Sequence, residues 1–261
     1  MNGFVHTLGQ STQPHMKKAR KTRAQKDRAE ALLADLYAEY PNPHCELIHS
    51  NAFELLCATI LSAQCTDVRV NLVTPALFDA YPTPQLMAEA PLEHLEELVR
   101  TTGFYKNKAK SLKETAHSLV QNFNGEVPQT MDQLLTLRGA ARKTANVVLG
   151  NAFNINVGVV VDTHVKRLAY RFGLTREKEN TARIERDLMG LFPQESWADL
   201  SHLMIHHGRG PCKARFATPS FHPICMRYGR RCTCVKEAQK QSESSSSTPA
   251  TSPRGQSSST S

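Results

Sequence analysis

The chain has 261 residues and a formal net charge of +8, with 40% apolar and 21% charged residues. It is long enough for one large or two small domains, it has no apolar run of the roughly 18 residues a membrane helix needs, and no secretory signal accompanies its cysteines, which are therefore read as metal ligands before disulfides. The charge is segregated, with +6 in residues 1–29, −9 in 30–100, +5 in 138–171, +6 in 201–235 and +1 in 236–261, which predicts a basic face on an acidic body, as in a polyanion binder, or more plainly a pair of solvated basic loops.

Residues 1–27 are Lys/Arg-rich and acid-poor up to Asp27. They read as a disordered basic arm, with a short organelle-targeting peptide as the alternative. A first helix follows, with Leu32, Leu33, Leu36, Tyr37 and Tyr40 on one stripe. A second carries Phe53, Leu56, Cys57, Ile60 and Leu61 at the i, i+3, i+4, i+7, i+8 spacing. Thr83-Pro84 marks a capped helix start with proline at the first helical position. Leu112, Ala116, Leu119 and Phe123 form another stripe, and Thr130 with Gln133 reads as a capping box. Only Ile155–Val161 looks like a strand. A lone strand makes no sheet, so it is expected to be an extended connector. Ile184, Leu188 and Leu191 give a further helix, and the Ser/Thr-rich tail at 236–261 is expected to be disordered. The predicted fold class is all-α.

Leu134 to Asn146 carries the most information. A short capped helix ends near Leu137, Gly139 can take the left-handed geometry of a tight helix–helix turn, and a new helix opens with Arg142 and Lys143. The free N–H groups at such a helix start suit a phosphate. Further on, an apolar run delivers Asp162 in Val161-Asp162-Thr163-His164 to the start of another helix, where an aspartate is an ordinary N-cap. Two loops flank apolar helices: Leu61-Ser62-Ala63-Gln64-Cys65-Thr66-Asp67, and Thr102-Gly103-Phe104-Tyr105-Lys106-Asn107-Lys108-Ala109.

In this order the motifs resemble those of the endonuclease III family of DNA glycosylase/AP lyases, over about residues 28–235. The family's helix-hairpin-helix core reads Leu-Pro-Gly-Val-Gly-Arg-Lys-Thr-Ala; here Arg138 replaces the proline and Ala141 the second glycine. The resemblance implies that Lys143 is the nucleophile attacking the sugar C1′, its pKa depressed by the helix start, Arg142 and partial burial, and that Asp162 stabilises positive charge at the sugar and assists deprotonation. It implies that Gln64 enters the stack vacated by a flipped base and that Phe104 wedges the opposite strand. Gly139, Ala141 and Arg142 are implied backbone and phosphate contacts. The methyl of Ala141 is expected to narrow that approach, and to strain the turn if the position needs positive φ, while Arg138 offers a compensating phosphate contact.

Four cysteines crowd the acid-free segment: Cys212, Cys225, Cys232 and Cys234. The resemblance implies a [4Fe–4S] cluster on Cys-x6-Cys-x2-Cys-x5-Cys, but the residues at that spacing from Cys212 are Pro219, His222 and Tyr228. Three readings stay open: a cluster on the four cysteines through a rearranged loop, a Zn²⁺ site of three cysteines with His222, or free thiols. A cluster here would be structural, holding Lys213, Arg215 and Arg209 against phosphates.

The implied architecture is a six-helix barrel at 44–162, with the hairpin at about 131–153, and a second helical part combining 28–43 with 163–235. Damaged double-stranded DNA would lie between them. The implied activity is removal of oxidised pyrimidines followed by β-elimination, by a monomer with no membrane partner. The alternatives are a glycosylase for another lesion and a catalytically weak DNA-binding paralogue. The expected location is the cytoplasm or nucleoid in a bacterium, and the nucleus or mitochondrion in a eukaryote.

Overall fold

A computed structural model describes residues 21–215, 221–232, 235–237 and 240. Most of the basic arm, most of the tail, Pro219 and Cys234 lie outside these residues. The arm's expected boundary at residue 27 moves. The first helix, α1 (Arg23–Glu39), starts earlier because Thr22 and Gln25 form a reciprocal capping box.

The described residues fold as helices joined by short turns. Next come α2 (Ala52–Leu61), α3 (Asp67–Ala80), α4 (Pro84–Glu89), α5 (Leu92–Leu98) and α6 (Tyr105–Phe123). Asn51, Thr66 and Thr83 cap α2, α3 and α4 by accepting a backbone N–H three residues on, which satisfies a donor with no intrahelical partner. Then come α7 (Met131–Leu134), α8 (Arg142–Phe153), α9 (Thr163–Arg171), α10 (Thr181–Met189), α11 (Trp197–Arg209) and α12 (Pro223–Tyr228). Residues 154–162 run between α8 and α9 without strand pairing.

Two apolar cores form. In one, Leu55, Leu56, Leu61, Leu77, Leu95, Leu112, Leu119, Leu134 and Leu149 are buried together, so α2 to α8 close around one centre. In the other, Leu32 and Leu36 of α1 are buried with Leu168, Phe172, Ile184, Leu188, Leu200 and Leu203, and Cys212, Cys225 and Cys232 belong to the same core. The first described helix thus packs with residues from the C-terminal third of the chain in one core. No helix of the described residues is long and apolar enough to cross a membrane.

Candidate functional site

Gly139 is the pivot of the hairpin between α7 and α8. It holds φ +81, which a side chain disfavours. A Cβ there would come within 3.3 Å of Ser111 Cβ and 3.4 Å of Ile60 Cγ2. The turn is therefore pressed against the last turn of α2, which Gln64 follows, and the second turn of α6, the helix that Phe104 caps. The hydroxyl of Thr115 donates to the Arg138 carbonyl at 2.6 Å, and Arg138 Nη1 donates to Glu114 Oε2 at 2.7 Å. The expected phosphate contact of Arg138 thus competes with α6. The pair is exposed, so it is weak and screened by salt.

Ala141 is the N-cap of α8 at φ −76 and ψ 170. This is ordinary extended backbone, so the strain anticipated for a methyl at this position does not arise. Its side chain makes no cap hydrogen bond. Ala141, Arg142 and Lys143 are all exposed, so the partial burial expected of Lys143 does not arise; the first N–H groups of α8 have no intrahelical acceptor.

Arg142 is engaged elsewhere. Its Nε donates to Glu185 Oε2 at 2.8 Å and its Nη2 to Oε1 at 3.1 Å, and Asn146 Nδ2 reaches Oε1 at 2.9 Å. Hydrogen bonding to Glu185 raises the Arg142 pKa. The cation expected to press on Lys143 therefore has its charge matched by a carboxylate that is only 5% exposed. At Gly158 a Cβ would fall 2.1 Å from Glu185 Oε1, so the connector leading to Asp162 passes directly over the same carboxylate. Asp162 caps α9, its Oδ1 accepting the Val165 N–H at 2.7 Å. Among the described residues no hydrogen bond or ion pair joins Lys143 to Asp162; what links their two segments is Glu185. Sequence reasoning missed Glu185, which sits on α10 beside the apolar Ile184–Leu188 stripe with nothing local to mark it.

Gln64 and Phe104 share an unusual backbone. Four non-glycine residues among those described have positive φ. Asn124 and Asn154 are left-handed helix C-caps, where asparagine is common. The other two are Gln64 (φ 53) and Phe104 (φ 49), which lack that excuse and cost on the order of 1–2 kcal/mol each in the left-handed region. Gln64 is exposed, and Phe104 is 67% exposed, ahead of α6. The loop behind Phe104 is stiffened from below by Lys108, a buried lysine whose Nζ donates to the Thr102 carbonyl at 2.7 Å. Burial lowers its pKa. Two strained, exposed side chains on supported loops are a pattern found at functional sites.

At the other core, Arg167 and Arg171 grip the loop after α11. Arg167 Nη2 donates to the carbonyls of Gly208 (2.8 Å) and Cys212 (3.1 Å), and Arg171 to those of Lys213 (2.7 Å) and Ala214 (3.2 Å). This leaves the Lys213 and Arg215 side chains exposed. Arg209, also expected to face phosphates, is instead paired with Glu46 and Asp67.

The region is cysteine-rich and its sulfurs are buried. Cys212 lies in hydrogen-bond contact with Cys225 and Cys232. The imidazole of His207, on α11, joins them with Nε2 at 3.2 Å from Cys225 Sγ. Cys234, the fourth of the expected thiolates, lies outside the described residues; among the described residues, the donors brought together differ from the four thiolates expected of a four-iron cluster. Of the residues at its spacing, His222 turns Nε2 to Glu39 at 3.3 Å and Tyr228 gives its hydroxyl to Asp35 at 2.7 Å. The ligand atoms of His207, Cys212 and Cys225 all lie within 4.8 Å of one another, whereas a cluster body of irons and sulfides holds its thiolates farther apart. The imidazole brought to the sulfurs is also not the His222 that the sequence suggested. His207 completes an i, i+3, i+4, i+7 stripe with Leu200, Leu203 and Met204, all buried, and that register was its one readable signal.

Residues 57–194 match the family model described as HhH-GPD superfamily base excision DNA repair protein. The chain is 53% identical over 206 residues to endonuclease III of a Synechocystis species, covering 79% of this chain and 91% of that one. It is 43% identical to endonuclease III of Bacillus subtilis, covering 67% and 80%. Among solved structures it resembles a non-covalent endonuclease III–DNA complex, with TM-score 0.75 and 40% identity over 84% of this chain and 98% of the other. It equally resembles a trapped endonuclease III–DNA covalent intermediate, with TM-score 0.75 and 40% identity over 83% and 98%.

Proposed function

The chain belongs to the endonuclease III family of HhH-GPD base excision DNA repair proteins, and from that premise we propose that it is a bifunctional DNA glycosylase and AP lyase acting on oxidised pyrimidines in duplex DNA. The observation that carries this reading is the meeting at Gly139 of three elements: the hairpin that leads to Lys143, the last turn of α2 ahead of Gln64, and the second turn of α6, the helix that Phe104 caps. A relative trapped as a covalent intermediate with DNA supports covalent catalysis.

In this reading the duplex lies between the two apolar cores, taken as the protein's two halves. Backbone N–H groups at the start of α8 hold a phosphate, with Lys213 and Arg215 adding charge on the opposite side. Phe104 wedges the strand facing the lesion, and Gln64 fills the gap left when the damaged nucleotide rotates out. Neutral Lys143 attacks C1′; the C1′–N bond breaks and the base leaves with the bonding electrons and takes up a proton. Loss of a proton from nitrogen and opening of the sugar ring give the Schiff base. Removal of the C2′ proton then expels the 3′-phosphate, cutting the strand, and water releases Lys143. Asp162 stabilises the cationic sugar and helps take the proton from Lys143. Its Oδ1 already serves α9 as a cap, so the same bond that starts the helix fixes the carboxylate.

The cysteine-rich region supplies no step. It anchors the 212–215 loop that presents Lys213 and Arg215. The protein works as a monomer where chromosomal DNA lies, in the cytoplasm and nucleoid of a bacterial cell, in keeping with its bacterial relatives.

Product analysis tests the pairing of activities. Duplex DNA bearing an oxidised pyrimidine is expected to yield a nicked strand without added alkali. An intact strand that breaks only after alkali would identify a monofunctional enzyme.

A further inference from the structure

We infer that the C-terminal core holds a single zinc-class ion, ligated tetrahedrally by His207 Nε2 and the thiolates of Cys212, Cys225 and Cys232, where the family's members carry an iron–sulfur cluster. The inference rests on donor geometry and is independent of the lyase reading.

Four observations converge. First, with metal–sulfur bonds of about 2.3 Å and metal–nitrogen bonds of about 2.0 Å, donors on one tetrahedral ion stand roughly 3.5–3.8 Å apart. His207 Nε2 and Cys225 Sγ are 3.2 Å apart, and the ligand atoms of His207, Cys212 and Cys225 lie within 4.8 Å of one another. Cys232 contacts Cys212 from outside this group of three, and its thiolate would close the shell by moving onto the bound ion. Second, all four residues are buried, at 0–1% exposure. Third, His207 is oriented as ligating histidines usually are, its other nitrogen held by a second partner: Nδ1 lies 3.1 Å from the Tyr40 hydroxyl, so Nε2 faces the sulfurs. Fourth, Arg171 Nη1 lies 3.3 Å from Cys212 Sγ, a cation placed against the negative charge that three thiolates leave on a divalent ion.

The donor chemistry selects the metal. Three thiolates and one imidazole in a closed shell suit structural zinc, whereas a four-iron cluster wants four thiolates spread around a larger body. Loading releases the thiol protons to solvent. The ion would join α11, the loop after it and the residues around α12; Arg167 and Arg171 tie that loop to α9, while Arg28 and Asp35 of α1 hold Tyr228 of α12.

The test is metal analysis of the full-length chain purified after growth with both iron and zinc supplied, followed by exchange of the bound ion for cobalt(II). The expected result is one zinc per chain without acid-labile sulfide, and one cobalt per chain with the strong visible bands of a tetrahedral thiolate site. His207→Asn should shift and weaken those bands, while His222→Gln should leave them unchanged. Iron with matching sulfide would overturn the proposal, as would a folded chain that contains no metal and takes up no cobalt. So would loss of the bands in His222→Gln but not in His207→Asn. The wild-type titration stands alone if a cysteine variant fails to fold.

Discussion

Arg142 and Glu185 are joined by two hydrogen bonds of 2.8 and 3.1 Å across 43 residues of sequence. The pair docks the start of α8 onto α10. The same carboxylate takes a third bond from Asn146 and lies under Gly158. Lys143 and the approach to Asp162 are thereby set in one frame. Glu185→Ala leaves Asn146 without its partner and the guanidinium without its counter-ion. Loss of one partner of a fully buried pair costs about 3–5 kcal/mol; because Arg142 is half exposed, about 2 kcal/mol is expected here. Denaturant unfolding checks the stability. Single-turnover lyase rates should fall more than DNA affinity, and an unchanged rate would separate Glu185 from the alignment of Lys143.

Ala141 caps α8 without a side-chain hydrogen bond. Ala141→Ser should therefore raise stability by about 1 kcal/mol. The new hydroxyl occupies an N–H group that a phosphate would use, so DNA binding should weaken even as the protein becomes more stable. Thermal melts and binding isotherms at several salt concentrations would show the two effects moving in opposite directions.

Gln64 spends backbone strain at an exposed position. Glycine relieves the strain but loses entropy to the unfolded chain, so Gln64→Gly should leave stability unchanged or raise it by up to about 1 kcal/mol. Base release from duplex DNA should nevertheless fall severalfold, with a smaller effect on cleavage of a preformed abasic site. A variant as active as wild type on the damaged base would remove Gln64 from lesion recognition.

Burial lowers the His202 pKa to about 4, and its Nε2 lies 2.7 Å from Asn151 Oδ1. The folded value is depressed below the unfolded one, so its contribution is fully present above about pH 6.5 and is lost as pH falls toward about 4. The span corresponds to at most about 3 kcal/mol. His202→Gln should flatten the decline of unfolding free energy across that window. The comparison requires denaturant melts of both proteins at closely spaced pH values.

The parts of this molecule that could be read from sequence are those set by local chemistry. Gly139 was legible because a tight turn wants a residue indifferent to positive φ. Thr83, Thr130 and Asp162 were legible because cap chemistry is written within three or four residues. The apolar stripes were legible as periodicity. Glu185, Arg138 and His207 were not, because their partners lie 24 to 43 residues away or across a core. A carboxylate on α10 looks solvent-facing until α8 delivers an arginine to it. The methyl of Ala141 looked strained because the family has glycine there, and only the observed φ of −76 shows that an alanine fits. The cysteine count was plain, but the imidazole among the sulfurs depended on how α11 packs.

The account stands on Lys143 as the nucleophile. The direct measurement is borohydride reduction during reaction with duplex DNA carrying an oxidised pyrimidine, followed by denaturing electrophoresis. A covalent protein–DNA band is expected from the wild-type chain and none from Lys143→Gln, with the variant still binding DNA. No band from the wild type, or an equal band from Lys143→Gln, would contradict it.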